Sequence, residues 1–267
     1  MSSQQFPIAS LKKLRRSLKQ QLVLPECEHI PSPLLAEEMP EPDSLASLSN
    51  LFRKGGITHT EGSTPNVNGR WFLSTIDAGA ALKYLPGIGL KPNYCLVTYL
   101  YRIRRSNQHH GGGVTWAISS QLGTTSHLEL ALATAGDHSI PPCPEGALQN
   151  YMTAVTGNLT AGSFLTASLL QRELQEFGRC GKFHRWEYHH LIGKVPSQRR
   201  WRWRMAEPHN LSPTVHSLPN GKIAVEFYTC RTTYPVSIFR HIDRYSPNSY
   251  VAKARNQSVA SVMKDAV

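Results

Sequence analysis

The sequence offers little that would announce an enzyme. It contains no Gly-x-Ser-x-Gly elbow and no cysteine in a recognisable catalytic surround, and Asp77, Asp137 and Asp243 lie far apart along the chain. Gly111, Gly112 and Gly113 lack the following lysine of a phosphate-binding loop, so they read as a turn. A non-enzymatic protein without cofactor is the expectation. Cysteine is also sparse: Cys27, Cys95, Cys143, Cys180 and Cys230 stand singly, without the close pairs of a zinc module or redox site. Reduced thiols in an intracellular compartment follow. No run approaches the roughly 20 apolar residues of a membrane span, and the first residues carry basic side chains where a secretory signal needs an apolar core.

Negative charge is the other shortage. Lys and Arg number 29 against 18 Asp and Glu, a formal net charge of +11, which predicts attraction to nucleic acid or anionic lipid and says nothing about fold. The imbalance is local. Residues 1–25 hold Lys12, Lys13, Arg15, Arg16 and Lys19 and no acid, whereas 26–43 hold Glu26, Glu28, Glu37, Glu38, Glu41 and Asp43 among five prolines if Pro25 is included. Proline at that density removes backbone donors, so 25–43 reads as an extended acidic linker. Leu11, Leu14, Leu18 and Leu22 recur at spacings of three and four, which predicts an amphipathic helix over 8–24 with most of its cations opposite the leucines. That helix suits a membrane surface, a nucleic-acid backbone, or docking on the protein's own core.

The rest reads as α+β, mostly antiparallel sheet with a few helices. The expected layout is a flexible basic and acidic N-terminal region (1–65), a globular domain (66–247) and a polar C-terminal tail (248–267) that frays or forms a short helix. Residues 94–104 predict a strand with Val97, Tyr99, Tyr101 and Ile103 on one face and Thr98, Arg102 and Arg104 on the other. A polar loop ending in the three glycines would lead back through 114–118. Residues 126–132 fit either a capped helix or a strand, 145–177 predict helix broken at Gly157 and Gly162, and strands are expected at 183–195 and 199–206. Asn220-Gly221 is the strongest hairpin signal.

Arg179 to Arg204 concentrates Arg179, Lys182, Arg185, Lys194, Arg199, Arg200, Arg202 and Arg204 against Glu187 alone. Alternation along 199–204 puts Arg200, Arg202 and Arg204 on one strand face and Trp201 and Trp203 on the other. The guanidiniums match phosphate oxygens, and the tryptophans are either core or stacking platforms for bases. Candidate binding residues are therefore Lys12, Lys13, Arg15, Arg16, Lys19, Arg199, Arg200, Arg202, Arg204, Trp201 and Trp203. Cys180, His184, His189 and His190 form the tightest histidine cluster, but strand alternation turns His189 away from His184 and His190 and specifies no closed metal site.

A Ser-rich start, the Leu11-Lys12-Lys13 run, a Pro-rich acidic stretch and a basic α+β region follow one another in an order that resembles rhabdovirus matrix proteins of the plant-infecting nuclear group. Asn220-Gly221-Lys222-Ile223-Ala224-Val225-Glu226-Phe227 resembles a late strand of that family, although its Pro-Pro-x-Tyr budding signal is absent. The resemblance implies a virion structural protein that condenses a nucleocapsid in the nucleus and touches an anionic membrane from inside. The expected partners are nucleic acid or nucleocapsid, with an anionic membrane surface and a second copy of the chain as further candidates. Two alternatives stay open: a single-strand nucleic-acid-binding regulator or movement-type protein, and a metal-dependent hydrolase or nuclease using His184, His189 or His190.

Overall fold

The chain is α+β and mostly antiparallel, as its patterning predicts. The computed structural model describes residues 2–29, 71–105, 108–183, 185–197 and 199–262. Its largest sheet runs in the order β1 (Ser2–Gln5), β9 (Thr214–Ser217), β10 (Ile223–Arg231), β11 (Ser237–Tyr245), β12 (Ala252–Val262) and β8 (Trp201–Trp203). Along one edge β10 serves two partners: residues 223–226 pair with β9, and 228–231 pair with β7 (His189–Ile192). The β9–β10 hairpin turns at Asn220-Gly221, where Gly221 has φ +71° and Asn220 Oδ1 accepts from the Lys222 N–H. A second sheet joins β2 (Trp71–Leu73), β4 (Tyr94–Arg105) and β5 (Gln108–Ser119), and β3 (Ile88–Leu90) pairs with β6 (Val155–Gly157).

Helix α3 (Ala161–Glu176) lies between these layers, touching β5, β9 and β10, and is buried without a break from Ser163 to Leu174. Its start is set by Thr160, whose hydroxyl accepts from the Ser163 N–H at 3.3 Å. Phe164, Leu165, Leu169, Leu170 and Leu174 supply the centre of the main core. A helix enclosed all round must pair most of the polar groups it carries, and here all but Gln171 Oε1 of those buried side-chain atoms find a partner among the described residues. Ser168 bonds Tyr245 Oη at 2.7 Å, Arg172 meets Asp243 through two nitrogens at 2.5 and 2.8 Å, and Glu173 accepts from Arg15 at 2.6 Å. The expected helix over 145–177 is thus shorter. Tyr151–Ala154 is a 3-10 turn, β6 ends at Gly157, and Gly162 sits inside the first turn of α3.

The N-terminal leucine stripe is used by the protein itself. In helix α1 (Ile8–Gln21), Leu11 is 1% and Leu18 0% exposed, and Leu14 and Leu22 pack against the same core. Within the described residues the N-terminal region is therefore part of the fold, contrary to the flexible expectation, because β1 adds to β9 and α1 closes over α3. The acidic linker begins as structure too: Glu26–Glu28 is a 3-10 turn, and the buried Glu28 carboxylate accepts from Ser74 Oγ and from Thr75 N and Oγ1 at 2.7–2.8 Å. Residues 30–43 lie outside the described residues. The C-terminal expectation is overturned up to Val262. Residues 252–262 form β12, whose polar composition hides a full ladder with β11 and the buried pair Val259 and Ala260.

Strand β4 keeps its predicted faces, with Tyr99 and Tyr101 packing beside Val97 and Ile103 under Trp71. The opposite face is not wet: Thr98 is 0% and Arg102 1% exposed. The glycine run, expected as a turn, is strand. Register pairs Tyr101 with Gly112 and Arg102 with Gly111. A Cβ on Gly113 would stand 2.1 Å from the Phe177 carbonyl oxygen, and one on Gly111 would stand 2.6 Å from that of Tyr101. Gly113 must be small because the backbone after α3 runs directly against β5, and Gly111 because Tyr101 and Arg102 of the paired strand β4 crowd it. The ambiguous segment becomes helix α2 (Thr125–Ala133), with Thr124 at its cap position in place of the expected Ser126 and Glu129 box. In the region expected as strand over 183–195, a 3-10 turn at Trp186–Tyr188 precedes β7, and 199–206 contributes only β8.

Candidate functional site

The end of α3 and the turns after it form one wall of an open cavity of about 890 Å³. Gly178 and Gly181 take positive φ (+76° and +59°), which folds the chain back so that Arg179, Lys182 and Arg185 face the same space. Its floor is the helix-facing side of the sheet: Arg231 from β10, Phe239 and His241 from β11, Asn256 from β12 and His189 from β7. Trp186 and Tyr188 close a second side.

A buried polar chain crosses the floor, and arginine fixes its direction. Arg172 can only donate, so the Asn256 atom 3.2 Å from its Nη2 is the carbonyl oxygen. That oxygen also lies 2.7 Å from His241 Nδ1, which must therefore carry the proton. His241 Nε2 is then an acceptor and takes the Thr229 hydroxyl proton at 2.8 Å. Thr229 Oγ1 in turn accepts from His189 Nδ1–H at 2.8 Å, which makes His189 Nε2 a lone-pair acceptor. Both imidazoles are held neutral. Burial first, then the cations Arg231, Arg15 and Arg172 and the neighbouring His190, lower His189 to about 4. Burial, then Arg172, lowers His241 to about 3 against the opposing bond to Asn256, with His189 and Arg15 adding to the decrease.

The wall is braced from behind by Arg15. Its Nε donates to Glu173 Oε1 at 2.6 Å, its two terminal nitrogens donate to the carbonyls of His189 and Trp186, and its guanidinium stacks 4.7 Å from the Trp186 ring. Trp186 Nε1 donates to the same Glu173 oxygen at 2.7 Å. Arg15 thus differs from the cations it was grouped with. It is 8% exposed and serves the pocket's architecture, because its position between Leu11 and Leu18 turns it towards α3. Lys12, Lys13 and Arg16 are exposed, and Lys19 meets Glu187 at 3.9 Å. Lys12, Arg16 and Lys19 line a separate groove with His190.

Positive charge in the pocket exceeds its internal compensation. Arg172 is matched by Asp243 and Arg179 by Glu176 at 3.5 Å. Lys182, Arg185 and Arg231 have no carboxylate partner among the described residues. Arg231 lies 5.3 Å over Phe239, and Tyr188 is 39% exposed, so flat surfaces stand beside the cations.

The predicted arginine strand lies at the far edge of the same sheet. Arg199, Arg200, Arg202 and Arg204 are exposed, while Trp201 and Trp203 are half-buried against Leu211, Tyr228, Ile238, Val259 and Ala260 on the opposite sheet face. Trp201 Nε1 also donates to the Pro196 carbonyl. The alternation is as read, and it packs part of each tryptophan on that apolar cluster. Register runs Arg231 to Ser237, Ser237 to Ser261 and Ser261 to Arg202, so the Arg202 side chain shares the face of Arg231 three strands away, about 14 Å at the usual strand spacing.

His189 and His190 do not converge: one faces the pocket and the other the α1 groove. His184 lies outside the described residues. Among the described residues no group of three or more His, Cys, Asp and Glu is placed to hold a metal ion, and no helix is long and apolar enough to cross a membrane. The sequence signalled Arg179, Lys182 and Arg185. It missed Arg172, Arg231, Phe239, His241 and Asn256, for which the available sign was the period-two run His241, Asp243, Tyr245 placing polar groups at core-facing positions. Compared with known proteins, the chain matches no family model, no curated protein and no solved structure.

Proposed function

We propose that the protein is a non-enzymatic nucleic-acid-binding protein, and that its pocket and the sheet face beside it take a segment of single strand. The observation that carries this is the set Lys182, Arg185 and Arg231, without carboxylate partners among the described residues, opening beside the Arg231–Phe239 pair and Tyr188 and continuing in register to Arg202. Cations spaced along a face pair with successive phosphates, while aromatic and guanidinium planes accept bases without regard to sequence. The groove of Lys12, Arg16 and Lys19 supplies a second cationic face, in keeping with a matrix-like protein that gathers a nucleocapsid. On this reading it works inside the cell, in the nucleus or at the inner face of a membrane. Lipid is the weaker partner, because the leucines that would enter a bilayer from α1 are already in the core.

The test is fluorescence-detected binding of a labelled single-stranded RNA across a range of salt, for the wild type and for a Lys182→Ala, Arg185→Ala, Arg202→Ala variant. All three side chains are exposed, so the fold is retained. Each lost phosphate contact flattens the log K against log salt slope by about 0.7, so the variant's slope should be shallower by about 2. An unchanged slope and affinity, or binding to anionic vesicles with none to RNA, would overturn the proposal.

A further inference from the structure

A polymer lying in the pocket has two ends to place, and the row to Arg202 accounts for one of them. The second way out passes Asn256, which lines the pocket and is itself exposed. Asn256 stands on a strand with an open edge. β12 pairs with β11 from Ala252 to Ser261, whereas β8 covers only Ala260 to Val262. From 252 to 258 that edge meets no further strand among the described residues. Alternation then divides the strand between two faces: Asn256 points into the pocket, so its neighbours Lys253 and Arg255 point to the side of the sheet turned away from α3. One strand's thickness separates the pocket from these cations.

Register gathers a third cation beside them. Arg244 of β11 is directly opposite Lys253, and Ile242, two residues before it, is opposite Arg255. All three cations are exposed, and none has a carboxylate partner among the described residues. Glu226 is the one carboxylate that β9 to β12 place on this face, and Arg240 already holds both its oxygens at 3.0 and 2.7 Å. Like charges directly opposite on neighbouring strands destabilise a sheet, so the Arg244 and Lys253 pair calls for an anion between them. A flat face with three uncompensated cations suits a chain of phosphates, each guanidinium taking two oxygens of one group.

We propose that a single strand held in the pocket leaves it past Asn256, turns over the open edge of β12 and continues on the far side of the sheet, its next phosphates on Arg255, Lys253 and Arg244. This rests on the nucleic-acid reading of the pocket and adds to it a direction and a length. Labelled single-stranded RNAs of about 4 and about 16 nucleotides, the limits of site size for single-strand binding folds, separate the two surfaces. The longer RNA should bind more tightly and with the steeper salt dependence. In an Arg244→Gln, Lys253→Gln, Arg255→Gln variant its log K against log salt slope should flatten by about 2, about 0.7 for each phosphate contact, while binding of the short RNA stays unchanged. The three side chains are exposed, so the fold is retained, and an unchanged melting temperature checks it. Lys83→Gln with Lys91→Gln removes exposed cations outside the large sheet and should leave both slopes as they are. A long-RNA slope that survives the triple variant, equal flattening by the Lys83 and Lys91 control, or loss of anionic-vesicle binding with RNA binding intact would overturn this path. Failure of the pocket reading looks different: short-RNA binding that the Lys182, Arg185, Arg202 variant leaves untouched.

Discussion

Changing Arg15 to Met removes a charge that the sequence groups with four surface cations and that the fold treats as an internal brace. The methionine keeps an apolar stem of similar length between Leu11 and Leu18. Three bonds go: the contact to Glu173 at 2.6 Å and those to the carbonyls of His189 and Trp186. The Glu173 side chain, 6% exposed, is left among the described residues with only the Trp186 indole for its charge. Removing one member of a buried pair costs about 3–5 kcal/mol, chiefly the desolvation of the ion left behind. For a chain of this size that lowers the melting temperature by roughly 10 °C. Urea denaturation followed by tryptophan fluorescence measures it, with Arg16→Met as the exposed control, expected within about 0.5 kcal/mol of wild type. Adding Glu173→Gln to Arg15→Met neutralises the stranded carboxylate yet keeps an oxygen for Trp186, and should recover part of the loss. A single variant costing under about 1 kcal/mol, the range of a solvated surface pair, would refute the brace, as would a double variant no more stable than the single.

The glycine run separates into sites that differ sharply although adjacent. Gly113→Ala should cost about 3 kcal/mol or more, since its methyl meets the Phe177 carbonyl at 2.1 Å, whereas Gly112→Ala, 3.9 Å from Tyr101 Cβ, should fall within about 1 kcal/mol; comparison of urea midpoints decides. Acidification should weaken the fold below pH 6.5. His241 is neutral in the folded chain down to about 3 but takes a proton at about 6.5 when unfolded, so the unfolded state binds more protons across that window, and stability falls as pH drops. At pH 5 this one residue, facing Arg172, Arg15 and His189, accounts for about 2 kcal/mol, and urea titrations across the range should show His241→Asn flattening the stability profile between pH 6.5 and 5.

Elements whose burial follows from local pattern were legible. The Asn220-Gly221 turn, the faces of β4, the leucines of α1 and the alternation of Trp201 and Trp203 with their arginines each depend on residues within one turn or strand. What the sequence hid is burial of charge. Arg15, Arg102, Arg172, Glu28 and Asp243 have the chemistry of surface residues, and only the meeting of distant segments makes them internal. Strand β12 was hidden for a related reason: Lys253, Arg255, Asn256 and Gln257 look like a solvated tail, yet Asn256 is the acceptor that orders Arg172 and His241. The pocket shares this property, because its floor comes from four strands and its wall from the turns after α3. Charge density at 179–185 announced the wall alone.

Residues 2–5 and 252–262 are woven into one sheet, with β9, β10 and β11 between them. A chain cut once just after residue 29 would therefore stay assembled. Its short N-terminal piece would be held by the β1–β9 ladder, by the leucines of α1 and by the Glu28 carbonyl on Arg102. Such a nicked protein would migrate as one body in native conditions and as two only after denaturation. For anyone trimming the molecule, neither of these strands can be removed as an appendage: each carries a row of hydrogen bonds that the rest of the sheet is built to receive.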